Sequence, residues 1–211
     1  MFLKIKVGYF LALFLTIPLL FLAGLATERF AVRPLRKRND WEMMALMSTL
    51  GLAMFLDNLY LVIFGPFVKS LPPILEGQAT FGGAIFSFQD ILMFFIAMSI
   101  MIAFMLFLGR TRLGMSVRAV AQNVKGAQIV GIAKDKVFGF TFAISTVLVG
   151  VGGILLAPKY FISPLGGWDI LVKAWVITAF GGMGSLKGSL YAAFILGIVE
   201  AFVGWQFGLT W

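Results

Sequence analysis

Carboxylates are the only side chains in this sequence from which acid–base chemistry could be built. The 211 residues include neither cysteine nor histidine. That removes thiol nucleophiles, disulfides, histidine-centred triads and the usual zinc sites together. No catalytic residue and no metal ligand is therefore expected. The nine Asp and Glu residues lie mostly in charged connections or near the edges of apolar runs. Asp57, with Asn58 beside it, and Glu200 stand inside such runs. An ionisable side chain at a helix centre costs about 2.5–3.5 kcal/mol on insertion scales, so neither should face lipid. Each is a candidate for lining a polar path, and the alternative is a structural hydrogen bond to a neighbouring helix.

A glycine-rich stretch, Gly181-Gly182-Met183-Gly184-Ser185-Leu186-Lys187-Gly188, superficially resembles a nucleotide-binding loop. The phosphate-cradling pattern needs its lysine directly after the last glycine. Here Lys187 follows Leu186, so the pattern fails. Gly181, Gly182 and Gly184 can instead form a flexible break that exposes backbone groups to a path. A tight turn between closely packed helices explains them equally well.

The elements that must hold these residues are membrane helices. Apolar residues make up 61% of the chain and charged residues 12%, with a mean hydropathy of +1.00. A soluble domain carries about twice that charge, and about 20 apolar residues suffice to cross a bilayer. Six segments qualify by composition: Val7 to Ala26, Ala45 to Phe64, Ile91 to Leu108, Val137 to Ala157, a short Ile170 to Phe180, and Leu190 to Val203. The fifth must tilt, continue through Gly181 and Gly182, or be re-entrant. The expected fold is an all-α polytopic transmembrane helix bundle, with residues 1–211 forming a single transmembrane domain. In the last segment Ser189, Ala193, Gly197 and Ala201 make a small-residue stripe, beside which Glu200 falls. Trp41, Trp168, Trp205 and Trp211 sit near segment ends, as interfacial anchors do.

The net charge of +8 would suggest nucleic acid in a soluble protein, but its distribution points to membrane orientation. Arg29, Arg33, Arg36, Lys37 and Arg38 separate the first two segments. Arg110, Arg112, Arg118, Lys125, Lys134 and Lys136 separate the third and fourth. The positive-inside rule puts both connections in the cytoplasm, and the connection holding Lys69, Pro66, Pro72, Pro73 and Glu76 outside. Lys159 to Asp169 is then outside and Lys187 inside. Lys4 and Lys6 disagree with this alternation. With the apolar run and Gly24-Leu25-Ala26 behind them they resemble a secretory signal, although more membrane protein follows. A chain that starts late would resolve the conflict as well.

The polar stretch after the third segment is the most informative. Met115 to Val130 can form one short helix, preceded by Gly114 and capped by Gly131. Small residues at Ala119, Ala121, Gly126 and Ala127 would let it seat in another protein's groove, with Arg118 and Lys125 pairing to acids there. A connection resting on lipid headgroups explains the same residues.

Arg118-Ala119-Val120-Ala121-Gln122-Asn123, with Ala127 and Gly131-Ile132 behind it, resembles the cytoplasmic coupling loop of branched-chain amino-acid ABC transporter permeases. Glu28-Arg29 and Arg33-Pro34-Leu35-Arg36, Thr49-Leu50-Gly51-Leu52, and the Gly181 to Gly188 turn followed by Gly197 and Glu200 are similar to that family in the same order. The resemblance implies a multi-pass subunit of the cell (inner) membrane, without a cofactor of its own, its ATP bound by partner subunits. Those partners would be a second permease subunit, cytoplasmic ABC ATPases and a periplasmic or lipid-anchored binding protein, with membrane lipid and no nucleic acid. It assigns ATPase coupling to Arg118, Ala119, Ala121, Gln122, Asn123, Ala127, Gly131 and Ile132. Such permeases normally carry further helices before Val7 and after Trp211, so an internal fragment is expected. Asp57 departs from the family's uncharged residue and bears on specificity. The rivals are a urea or short-amide permease, a non-transporting scaffold or defective fragment, and, more remotely, an intramembrane enzyme.

Overall fold

The computed structural model describes residues 2–38, 40–71, 77–81, 84–160, 162–182 and 184–208. Pro72, Pro73 and Glu76 of the second connection, Met183 of the glycine turn and Trp211 lie outside the described residues. The chain divides into two compact units, Met1–Pro164 and Leu165–Trp211. The described residues are overwhelmingly helical, and five helices are long and apolar enough to cross a membrane.

In the first unit, α1 (Phe2–Thr27) runs into a π-helical turn over Glu28–Val32, closed by the Arg33 amide donating to the Glu28 carbonyl at 2.7 Å. A short 3-10 turn, Leu35–Lys37, leads to α2 (Trp41–Phe64). Two strands, β1 (Gln78–Phe81) and β2 (Ala84–Ser87), pair antiparallel with Gln78 opposite Ser87. They are an addition to the helical expectation. Ser87 then caps α3 (Phe88–Arg110), its hydroxyl accepting from the Gln89 amide at 3.3 Å. After α4 (Arg112–Gln122) and α5 (Val124–Ile129) comes α6 (Lys134–Leu156).

The centre of this unit is the contact of α1 with α6. Water supplies no hydrophobic drive between helices inside lipid, so association depends on backbones approaching closely over small residues. Gly139, Ala143, Thr146 and Gly150 line one face of α6 at helical spacing. A Cβ added at Gly24 of α1 would stand 2.7 Å from the Ala143 Cα, and one at Gly139 would stand 3.3 Å from a Glu28 carboxylate oxygen. Most large apolar side chains on α2 are exposed instead, as are Phe94, Phe95, Ile102 and Leu106 of α3, as lipid-facing surfaces are.

Backbone bonds between Lys69 and Ile162 (3.0 and 2.8 Å) join the connection after α2 to the one after α6, and an ion pair of Lys159 with Asp90 (2.8 Å) ties that second connection to the first turn of α3. At the other end the two basic connections meet, as described below. The pairing of connections is the one that alternating spans require.

In the second unit α7 (Gly167–Gly181) and α8 (Leu186–Phe207) pack on each other as a hairpin. The fifth segment is a 15-residue helix ending at Gly181, about 22 Å long. Gly182 (φ 83°) and Gly184 (φ 88°) hold the left-handed backbone of the turn. Ser185 caps α8 through the Gly188 amide at 3.1 Å.

Candidate functional site

The α4–α5 connection is a folded pad, not a loose loop. Thr111 starts α4, its hydroxyl accepting from the Gly114 amide at 3.0 Å. Gly114 is buried against the end of α3: a Cβ there would meet the Leu108 Cα at 2.5 Å. The single helix expected over Met115 to Val130 is in fact two. Asn123 leaves helical geometry (φ −156°, ψ 104°), and its side chain accepts from the Gly126 amide at 2.9 Å to cap α5. Asparagine competes with the backbone in this way and favours caps over helix interiors. Gly131 (φ 85°) ends α5 as expected, with its amide donating to Gln128 and that of Ile132 to Ala127, each at 3.0 Å. That pair of bonds is a Schellman closure.

The pad has two faces. Val120, Ala127 and Val137 form a buried cluster, with Ala119, Val124, Ile132 and Phe138 packed around it. Arg118, Ala121, Gln122, Asn123 and Gly131 are exposed, and so are Ile129 at 86% and Val130 at 74%. Of the residues expected to couple, Ala119, Ala127 and Ile132 therefore hold the pad down, and the other five line its outer surface. The Arg118 guanidinium reaches the Gly109 carbonyl at 3.5 Å.

Beneath the pad lies an ion cluster that the sequence did not reveal. Arg36 pairs with Glu28, both side chains almost fully buried, and donates to Asp135 at 3.0 Å. Arg33 also donates to Asp135, at 3.2 Å. The Arg36 guanidinium lies 4.6 Å from the centre of the Phe138 ring, against which Trp41 packs edge-on. Burial pulls Arg36 below its usual range, and the charge of Asp135 partly opposes that. The cluster ties the π-helical turn after α1, the basic connection and the start of α6 to the residue, Phe138, that supports the pad. Nothing in spacing marked Glu28 and Arg36 as partners, and Asp135 between Lys134 and Lys136 reads as a solvated charge.

The path candidates fall in both units. Asp57 is half-buried in α2; Asn58 is exposed, and its amide donates to the Met54 carbonyl of its own helix at 2.7 Å. In the second unit Gly181 packs against the start of α8, where a Cβ would stand 2.6 Å from the Gly188 carbonyl carbon. Gly182 and Gly184 shape the turn beside it. Glu200 pairs with Lys173 of α7 at 3.0 Å. Among the described residues nothing lies near the absent Cβ of Gly197, and Ala201 is exposed. An open groove of about 310 Å³ is lined by Lys173, Val199, Glu200 and Val203. Lys173 stands inside an apolar segment, and that position was the signal available in sequence. Among the described residues there is no cluster able to hold a metal ion.

The family described as "Branched-chain amino acid transport system / permease component" matches residues 2–210. The high-affinity branched-chain amino acid transport system permease protein BraD of Pseudomonas aeruginosa is 34% identical over 191 residues, which cover 88% of this chain and 62% of that protein. The corresponding permease protein LivH of Escherichia coli K12 is 33% identical over 185 residues, covering 84% and 59%. The autoinducer 2 import system permease protein LsrC of Yersinia enterocolitica is 28% identical over 165 residues, covering 74% and 45%. The chain spans about three fifths of the length of the first two relatives. No solved structure matches it.

Proposed function

We propose, because this multi-pass membrane chain belongs to the family of permease components of branched-chain amino acid transport systems, that it is a pore-forming subunit of an ATP-driven importer of such amino acids. The observation that carries the proposal is a family match along residues 2–210. In this reading the protein lies in the inner membrane beside a second permease subunit. Paired cytoplasmic ATPases bind ATP, and a periplasmic or lipid-anchored protein delivers the cargo.

Chemistry in the chain itself is limited to offering a path and relaying movement. The α4–α5 pad is the relay. Its outer face presents Arg118, Ala121, Gln122, Asn123 and Gly131 to the ATPase, and its inner face passes displacement to α6 through Val120, Ala127 and Ile132. Basic connections face the cytoplasm, which puts the pad on the ATPase side. In this proposal Asp57 and Asn58 of the first unit are path-lining residues, and so, taken by themselves, are Glu200 and the glycine turn of the second. Alternating access follows when ATP binding draws the two ATPases together and the pads move with them.

The test is copurification from detergent. The native chain should bring down an ATPase, whereas Arg118→Glu and Gly131→Trp should lose it while still reaching the membrane. Failure of the native full-length complex to retain any ATPase would leave a scaffold. A second cargo is favoured by one observation, the match to an autoinducer 2 permease. Uptake of leucine against that of autoinducer 2, urea or short amides by the reconstituted importer separates the cargoes.

A further inference from the structure

We infer that the groove between α7 and α8, where Lys173 meets Glu200, is a subsite for the charged head of an α-amino acid; the inference rests on the importer reading above. Lys173 lies six residues from the start of α7 and Glu200 seven from the end of α8, so each is about 10 Å inside its helix. At that depth of an apolar helix an ion pair is expensive unless it meets protein or water. Yet the pair is not sealed: the two side chains remain 40% and 39% exposed. A groove opens beside it, and its other walls are Val199 and Val203.

The composition of the groove matches one chemical class. A zwitterion carries a carboxylate for the Lys173 ammonium and an ammonium for the Glu200 carboxylate. Its entry replaces one opposite-charge contact with two, and the membrane interior keeps a net charge of zero. The aliphatic side chain of the same molecule would lie along the valines. A neutral amide offers no charge to either residue and leaves the pair closed. Because the empty site heals itself by the 3.0 Å contact, cargo competes against that contact. Binding is thus kept weak enough for release, as a conduction path requires. A tie that merely joined α7 to α8 would need neither the exposure nor the groove, since apolar residues replace such pairs at little loss of stability.

The experiment is ATP-driven uptake of radiolabelled L-leucine by the complete importer in proteoliposomes, with assembly and thermal stability measured alongside. Lys173→Met combined with Glu200→Leu removes both charges and keeps the bulk. The variant complex is expected to assemble and to lose leucine uptake by at least tenfold. Lys173→Glu combined with Glu200→Lys keeps the helix tie with its polarity reversed. It is expected to match native thermal stability while uptake stays at least tenfold down, because the reversed head would turn the aliphatic chain away from the valines. Leucine uptake at the native rate by either assembled double variant overturns the inference. A native importer that hydrolyses ATP but moves no leucine overturns the cargo assignment itself, and is told apart because the native protein alone reveals it.

Discussion

Arg36 donates to Asp135 at 3.0 Å across 99 positions of sequence, and through that contact the two basic connections of the first unit become one structure. With Glu28 and Phe138 on its other sides, Arg36 is the residue through which α1, α6 and the pad share a fixed geometry.

The buried half of this cluster should behave differently from the exposed half. Removing one partner of a buried pair leaves an uncompensated charge, at a cost of about 3–5 kcal/mol. Glu28→Gln and Arg36→Met should each lower the thermal midpoint of the purified protein strongly, and the double substitution should cost less than the two together. Asp90→Asn breaks a half-exposed pair with Lys159 and should cost no more than about 1 kcal/mol. Equal losses from Asp90→Asn and Glu28→Gln would show that the Glu28 pair has no special burial.

Close approach of α1 to α6 rests on the absence of one methyl group. Gly24→Ala places a Cβ 2.7 Å from the Ala143 Cα, a backbone atom that cannot rotate away. A loss of about 1–3 kcal/mol is expected from such overpacking. Gly153→Ala, on α6 with open space around it, should be neutral or slightly stabilising. Chemical-denaturant titration in mixed micelles checks both, and a harmless Gly24→Ala would mean that the helices stand farther apart.

Asn123 is expected to govern the pad locally. Asn123→Ala removes the cap on the Gly126 amide and should cost about 1 kcal/mol, whereas Asn123→Asp should keep it. Hydrogen exchange of the amides from 124 to 130 reports the change, which should be confined to α5. Unchanged exchange in Asn123→Ala would assign the break between α4 and α5 to packing alone.

Gly131 tests the closure at the other end of α5. Its φ of 85° strains any residue with a Cβ even though the space around it is open. Gly131→Ala should therefore cost about 1–2 kcal/mol, and Gly131→Asn less. If exchange at the Ile132 amide were indifferent to both, the Schellman closure would not be holding the pad's end.

The spans were legible because a run of some twenty apolar residues has few other uses. Basic connections were legible as a group for the same reason. Individual partners were not. Glu28 sits at the mouth of a basic connection, where an acid reads as solvated; only the π-helical turn swings it inward beneath Arg36. The break at Asn123 was hidden because each neighbour tolerates a helix, and the cap depends on one side chain. Lys173 is only weakly marked, because the apolar segment around it is short and a lysine near a helix end is ordinary. The hairpin of β1 and β2 had a signal in the Gly82-Gly83 dipeptide between two short runs, outweighed by the helical character of the rest.

The hairpin of α7 and α8 has arms of unequal reach. With 15 and 22 residues, they extend about 22 and 33 Å from their common turn. A hydrocarbon layer matched to α8 is about 10 Å too thick for α7. Where both arms face lipid, the acyl chains beside the shorter one compress, the longer one tilts, or water follows the shorter one inward, each at a fraction of a kcal/mol per Å. Acyl-chain length is thus a mechanical load on this hairpin, set by a glycine turn that fixes where both arms begin.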